Sequence, residues 1–453
     1  MSKDSKKNSK RQETEHRSGY LSDRYYVHLK PLLVKMKVKM DRRLVGTVLG
    51  LSMAILLHRH RNHGLLISEL GGYLLTPDQA PAGTKRIHRL LHSTKWSSKD
   101  IEEHLWVQAD QRVEELWNAG KLILVIWDES VIEKPESLHL EGLCPVKSSK
   151  AKRLKRIKPG YFNPPGGRPV FVPGYHWLQV LVLGMQSAPT LAHFRWWTTR
   201  GEAASDKRSE EKEVLREITR RWGAHQVLHV WDRGFAGQPW LTQAYVHAVR
   251  FVMRWPKSYK LLDDQDCLRK AWEISRGKRS WDHRQLWDAK RRCYRKVGVV
   301  AFPISDKTFQ QPLWLVVARQ GNGREPWYLI TNQPVHSAEQ AWPIVLAYAR
   351  RWQIEMSIRF DKCELAFESP RLRRWETQHR LLLIATLAYS FLLSLLSPDP
   401  VDTLSWLLRH WCHRTGEWSR KVQAPLYRLR SAISRFWLSH PPPFLLLLRL
   451  NPG

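Results

Sequence analysis

The sequence predicts an α/β fold, with a mixed-sheet core interrupted by a β-rich insertion and flanked by helical N-terminal and C-terminal regions. Three observations carry this. Between residues 119 and 255, short apolar runs of strand type are separated by charged amphipathic stretches of helical period. Between 256 and 326, strand-like runs predominate and turn residues separate them. Residues 44–118 and 376–453 read as helical. At 453 residues the chain is too long for one compact core.

Taken in order, residues 1–43 read as a basic flexible arm: 1–45 hold 13 Lys and Arg against five acids, and 1–24 contain almost no apolar residues. Residues 44–118 read as a helical DNA-binding domain. Leu44–Leu57 is an apolar helix, followed by ISELGGYLL at 67–75 and GTKRIHRLLHSTKW at 83–96. In the last of these Ile87, Leu90 and Leu91 share a face beside Lys85, Arg86 and Arg89. Short helices with basic flanks suit a helix-turn-helix, and an ordinary bundle fits them equally. His58, His60 and His63 lie among arginines and read as solvated rather than as metal ligands.

From Lys121 the pattern changes. LILVIWDES is a continuous apolar run ending in Asp128, as a buried central strand ends at a carboxylate. A basic loop follows at 147–158, with seven Lys and Arg and no acid, and NPPGGRP at 163–169 is turn-forming. HWLQVLVLG (176–184) and TLAHFRWW (190–197) read as strands, 202–222 as a charged amphipathic helix, and QVLHVWD (226–232) as a strand ending in Asp232. A helix to about 248 and the strand VRFVMRW complete the first part of the core, 119–255. In the insertion, residues 269–296 carry 11 Lys and Arg against three acids, interleaved with Trp272, Trp281, Trp287 and Tyr294. That mixture fits stacking on bases beside phosphates. GNG at 321–323 is a hairpin turn, without the strand-glycine-helix context of a nucleotide loop.

Residues 327–375 read as the last core strand and one long helix over 335–366. Residues 376–453 are helical, basic and Leu-rich, and are the expected dimer contact; the apolar end PPPFLLLLRL points to a partner surface. The 17-residue run Leu381–Ser397 is interrupted by Thr386, Tyr389, Ser390 and Ser394, which favours a buried helix over a membrane span.

The charge balance narrows the partners. A formal net charge of +32 points to a polyanion, nucleic acid first. The five cysteines are scattered and form no CxxC pair, which argues against a zinc module and a disulfide framework and favours the cytoplasm. No apolar leader is read at the N-terminus.

The candidate site centres on YARRWQIEMSIRFDK, 348–362. On one helix, at about 100° per residue, Tyr348, Arg351, Glu355 and Lys362 fall within a stripe about 60° wide, with Arg359 at its edge. A carboxylate flanked by cations and a phenol suits a metal-bound phosphodiester, whereas incidental i,i+4 ion pairs on a solvated face are the plain alternative. Asp128 and Asp232 end strands, and a glutamate on a helix against that sheet can converge with them on two divalent cations. An all-oxygen set favours Mg²⁺ or Mn²⁺, and a pair of ions about 3.5–4 Å apart clamps the attacking and leaving oxygens of phosphoryl transfer. Strand alternation points the neighbouring Glu129 away.

The spacing Y-x2-R-x3-E-x6-K resembles the signature of bacterial insertion-sequence transposases of the DDE type, which have an RNase H-like core. WDES and VWDRGF resemble that family's first and second acidic motifs, and PWYLITNQPV resembles the segment leading into its signature helix. The resemblance runs over about residues 83–397. It implies that Asp128, Asp232 and Glu355 form the metal-binding catalytic triad, that Tyr348, Arg351 and Lys362 contact transposon-end phosphates, and that Trp327 stacks on a flipped base. Arg359 is a further phosphate-contact candidate. The implied partners are double-stranded DNA, as terminal inverted repeats and target, and a second copy of the chain, with no membrane and no small-molecule substrate; the implied place is the cytoplasm, on the nucleoid. A structure-selective nuclease on the same core and a nonenzymatic DNA-binding protein are the other classes considered.

Overall fold

A computed structural model describes residues 3–135, 137, 139–148, 171–288, 293–321, 323–397, 401–412 and 426–443. Most of the basic loop 147–158, the NPPGGRP turn, Asn322 of the GNG turn, residues 289–292 of the basic aromatic segment and most of PPPFLLLLRL lie outside the described residues.

The helices before the sheet are α1 (Lys3–Lys37), α2 (Arg42–Leu57), α3 (Ile67–Leu74), α4 (Ala80–His92) and α5 (Ser98–Asn118). The sheet and its helices follow as β1 (Ile123–Glu133), β2 (Cys144–Lys147), β3 (Phe171–Gly184), β4 (Thr190–Trp197), α6 (Lys207–Trp222), β5 (Val227–Trp231), α7 (Gln238–Val246) and β6 (Arg250–Arg254). Next come β7 (Lys260–Leu262), β8 (Leu268–Lys270), α8 (Ala271–Ser275), β9 (Asp282–Asp288), β10 (Cys293–Ser305), β11 (Pro312–Arg319) and β12 (Trp327–Thr331). The chain ends with α9 (Ala338–Ala349), α10 (Trp352–Cys363), α11 (Trp375–Ser394), α12 (Val401–His410) and α13 (Leu426–Ser439).

Strands β4, β3, β1, β5 and β6 lie side by side, with β1, β5 and β6 parallel, β3 antiparallel to β1 and β4 antiparallel to β3, which is the arrangement of an RNase H-like core. Beyond β6 the same sheet continues through β12, β11 and β10, all antiparallel. Alternation divides the side chains of β1 between two cores. Leu124 and Ile126 face a core shared with α2, α9 and α11, whereas Ile123, Val125 and Trp127 face one shared with α5, α6 and α7. By the same alternation Asp128 leaves the sheet on the α9 side and Glu129 on the α6 side, where its carboxylate is held by Lys207.

Three expectations are corrected. First, the basic arm is helix α1, and its apolar side chains Leu21, Tyr25, Leu29, Leu32, Leu33 and Met36 are each no more than 3% exposed. They recur at helical spacing, and at about 2 kcal/mol per buried side chain their gross stabilisation is on the order of 10 kcal/mol. Lys30, Lys35 and Lys37 lie exposed on the remaining faces, so summing charge hid the stripe. The two ends of the chain also meet: Ser18 Oγ donates to His440 O at 3.0 Å, and Arg17 Nη1 to Thr403 Oγ1 at 3.5 Å.

Second, β1 does not stop at Asp128; it continues to Glu133, paired with β3. Only its pairing with β5 stops there, after Ile126↔Val230. Third, the long helix expected over 335–366 is two helices, broken at Arg350–Arg351. The amides of Arg351, Gln353 and Ile354 bond three residues back, to Tyr348, Arg350 and Arg351, at 3.0, 2.9 and 3.1 Å, so the backbone is overwound at the join.

The flanking helices form one packed body with the core. Helix α11 is buried along its length and packs against α2, α4, α5, α13 and β4. The apolar run of the sequence is therefore used inside the chain, which removes α11 from the surfaces open to a dimer partner. Among the described residues no helix is long and apolar enough to cross a membrane. Helices α3 and α4 cross at backbone contact: a Cβ on Gly83 would stand 2.2 Å from Gly71 O. Of the α4 cations, Lys85 and Arg89 are exposed, but Arg86 is buried and donates to Thr47 Oγ1 at 3.0 Å. His60 and His63 stack at 4.7 Å, and His60 Nδ1 caps the turn by accepting from the amides of Asn62 and His63.

Candidate active site

The parallel register of β1 and β5 pairs Ile123 with Val227 and Ile126 with Val230. Extending it by two residues sets Asp128 level with Asp232, which directly follows β5 and opens the turn Arg233–Phe235. Both side chains leave the sheet on the same face, and the join between α9 and α10 crosses that face. Tyr348, at the end of α9, donates its hydroxyl to Asp232 Oδ1 at 3.1 Å. Arg351, in the join, lies with Nη1 at 3.8 Å from Asp128 Oδ2 and 3.8 Å from Asp232 Oδ2, while its Nη2 donates to Glu355 Oε1 on the first turn of α10. One guanidinium thus faces all three carboxylates.

The overwound join matters here. Adjacent guanidiniums serve different partners: Arg350 Nη2 donates to Ser187 O in the β3–β4 turn at 2.5 Å, and Arg351 turns to the acids. Trp327, at the start of β12, meets the Tyr348 ring edge-on at 5.0 Å, and the Arg351 guanidinium lies 5.6 Å from the same ring. Indole, phenol, guanidinium and carboxylates therefore form one contiguous row.

Burial governs the electrostatics. It pushes the Asp128 carboxyl up to about 7; Arg351 and the Glu129 amide oppose the shift, while Asp232 and Glu355 add to it. Burial likewise raises the Tyr348 phenol to about 12, opposed by Arg351 and by Arg254. For Arg351 itself burial disfavours the charge, but Tyr348, Asp232 and Glu355 outweigh it and hold the cation more firmly than in water. The Arg351 Nε and Nη1 donors are buried and have no hydrogen-bond partner among the described residues, because 3.8 Å is beyond hydrogen-bond reach.

The other expected residues stand apart from this cluster. Lys362 is half-buried, seven residues beyond Glu355 and so about 10 Å along α10. Arg359 is exposed and shares an outer stripe with Trp352, Met356 and Cys363. The single stripe drawn through Tyr348 and Lys362 does not survive the break between the helices. Arg254 was missed: it is the last residue of β6 and bears on the Tyr348 hydroxyl, and the RW ending of VRFVMRW was its signal.

Among the described residues no group of three or more His, Cys, Asp and Glu side chains is arranged to hold a metal ion. The donor set is nonetheless all oxygen, as a hard divalent cation requires, and a cation does stand among the carboxylates, namely the Arg351 guanidinium. The residue types fit a divalent ion in the place that the guanidinium occupies.

Residues 202–391 match a protein family described as Transposase DDE domain. That span includes Asp232, Trp327 and the whole of 348–362, and begins after Asp128. No curated protein matches the chain.

Proposed function

We propose, from the match of residues 202–391 to the Transposase DDE domain family, that this chain binds the ends of a mobile DNA element, cleaves them and joins them to target DNA. The observation that carries this reading is the convergence of Asp128, Asp232 and Glu355 on one guanidinium between parallel strand ends and the α9–α10 join. Asp128, Asp232 and Glu355 would hold Mg²⁺ or Mn²⁺, and the bound ion would lower the pKa of water and balance charge at phosphorus during in-line displacement.

The side chains of this chain do the rest. Arg351 has two buried donors with no hydrogen-bond partner among the described residues, which suit the oxygens of a phosphate entering the cleft. Tyr348 orients Asp232 through its hydroxyl and supports Trp327, whose ring is half-buried and positioned to stack on an extruded base. Lys362, and Arg359 on the exposed stripe, extend the cationic surface along α10. Lys85 and Arg89 on α4 offer a second phosphate-binding surface, in the helical region read as a DNA-binding domain. Cleavage frees a 3′-hydroxyl, which attacks the opposite strand to form a hairpin or attacks target DNA directly. Two copies of the chain would hold two ends together.

The test is a reaction with labelled terminal inverted repeats and a target plasmid. Asp128→Asn, Asp232→Asn and Glu355→Gln should each abolish Mg²⁺-dependent nicking while end binding persists. Full activity in any of the three removes that residue from the site, and nicking without joined products assigns the chain to a nuclease instead.

A further inference from the structure

Helix α10 carries Glu355, so whatever fixes α10 along the sheet fixes the site. Gln179 of β3 lies directly opposite Asp128 in the β1–β3 pairing, and the two side chains leave the sheet on the same face. Gln179 does not reach the acids of the site. Its Nε2 donates instead to Asp361 Oδ2 of α10 at 2.9 Å, and both side chains are fully buried.

That contact leaves two atoms unexplained. Asp361 Oδ1 and Gln179 Oε1 are both buried and have no hydrogen-bond partner among the described residues. If Asp361 is ionised both are acceptors, and neither satisfies the other. A proton on Oδ1 would supply the missing donor: beside the observed Nε2–H to Oδ2 bond, Oδ1–H would then serve Oε1, pairing acid and amide side by side. The surroundings agree. Burial drives the Asp361 carboxyl well above the usual carboxylate range, opposed by the Gln179 amide, and the other titratable group bearing on it is the neutral phenol of Tyr389 on α11. Elsewhere in the chain buried acids meet cations, as Glu211 meets Lys207 and Arg208.

We infer that Asp361 is a positioning residue that stays protonated, pairs with the Gln179 amide and fixes α10 on the strand beside Asp128, thereby setting where Glu355 stands. The positioning role rests on the proposed reading of Glu355 as a working acid; the protonated pair does not.

Three proteins test it: the wild type, Asp361→Asn, which keeps an amide in place of the acid, and Asp361→Leu, which keeps the volume and loses the pair. Melting is measured at pH 4.5 and pH 8, and end cleavage is measured with Mg²⁺ at saturating DNA. Asp361→Asn should melt level with the wild type at pH 4.5 and above it at pH 8, because its folding no longer takes up a proton. It should cleave within about threefold of the wild-type rate, whereas Asp361→Leu should lose about tenfold or more in rate with unchanged end affinity, as displacement of a catalytic group produces. If Asp361→Leu does not fold, Gln179→Met removes the same pair from the strand side.

A melting difference that does not change with pH, or Asp361→Asn melting below the wild type at pH 8, overturns the protonated acid. Wild-type cleavage by Asp361→Leu, or equal loss in the Asn and Leu variants, overturns the positioning role. If the wild type itself cleaves no DNA, the proposed reaction fails while the melting comparison still decides the proton.

Discussion

Arg351→Met in metal-free protein tests the physical core of the site. In the folded chain one guanidinium faces three carboxylates, two of them at 3.8 Å. At an effective dielectric constant near 20, each 3.8 Å contact has a gross Coulomb energy of about 4 kcal/mol. Removing the cation also removes its desolvation cost, so the net loss is that of breaking a partly buried ion pair, about 3–5 kcal/mol. With an unfolding entropy of about 2.1 cal/mol/K per residue, a chain this long loses about 1 °C of Tm per kcal/mol, so Tm should fall by about 3–5 °C at pH 8 with chelator present. The loss should shrink below pH 7, where Asp128 takes up a proton and one charge disappears. Mn²⁺ should then restore more to the variant than it adds to the wild type, because no guanidinium has to be displaced; saturation at 100 Kd is worth about 2.7 kcal/mol. The assay is a thermal melt with and without Mn²⁺. Equal Tm values without metal, or equal gains with it, would refute the idea that Arg351 acts as the resident counter-cation.

Further expectations concern other parts of the chain. Asp128 titrates near 7 in the folded protein and near 3.9 unfolded, so the stability it confers is full below pH 4 and is lost as pH rises through 7. Asp128→Asn in metal-free buffer should therefore gain on the wild type between pH 4 and pH 8, by at most about 4 kcal/mol, in denaturant titrations at the two pH values; a gain that is constant with pH contradicts this. Trp327→Ala should slow the hairpin step on a prenicked end by about tenfold while leaving initial binding intact, since stacking on a base is worth about 1–3 kcal/mol; unchanged kinetics on that end removes Trp327 from the site. Gly83→Ala would drive a Cβ to 2.2 Å from the Gly71 carbonyl oxygen and should cost at least about 3 kcal/mol, whereas Gly19→Ala, with open space around it in α1, should be neutral or slightly stabilising in the same melts.

Much of the core was legible because a short, continuous apolar run that stops at a carboxylate has the pattern of a strand buried on both faces until it reaches the sheet's edge. Asp128 and Asp232 were found this way, and the register of β1 with β5 sets them level. The break at Arg350–Arg351 was not legible: YARRW contains no proline or glycine, and the join is shaped by two guanidiniums drawn to different partners across the fold. Helix α1 was misread because composition averages over faces, and its apolar stripe is diluted by the lysines and arginines around it. Asp361 reads in the sequence as one more solvated acid beside Lys362. Nothing local reveals that it faces Gln179 across 182 positions of chain.

The contacts of Ser18 with His440 and of Arg17 with Thr403 bear on how the chain matures. Because α1 shares one interior with helices made some 400 residues later, residues 1–118 have no finished core of their own during synthesis. Every acid of the cluster has been made by residue 355, yet the helices that cover α1 and α2 extend to Ser439. A product shortened anywhere in that interval carries a complete set of site residues on an unfinished body. Under the proposed function such fragments should retain affinity for DNA through their charge without competence to cut it, and so should compete with the intact chain rather than act as weak versions of it.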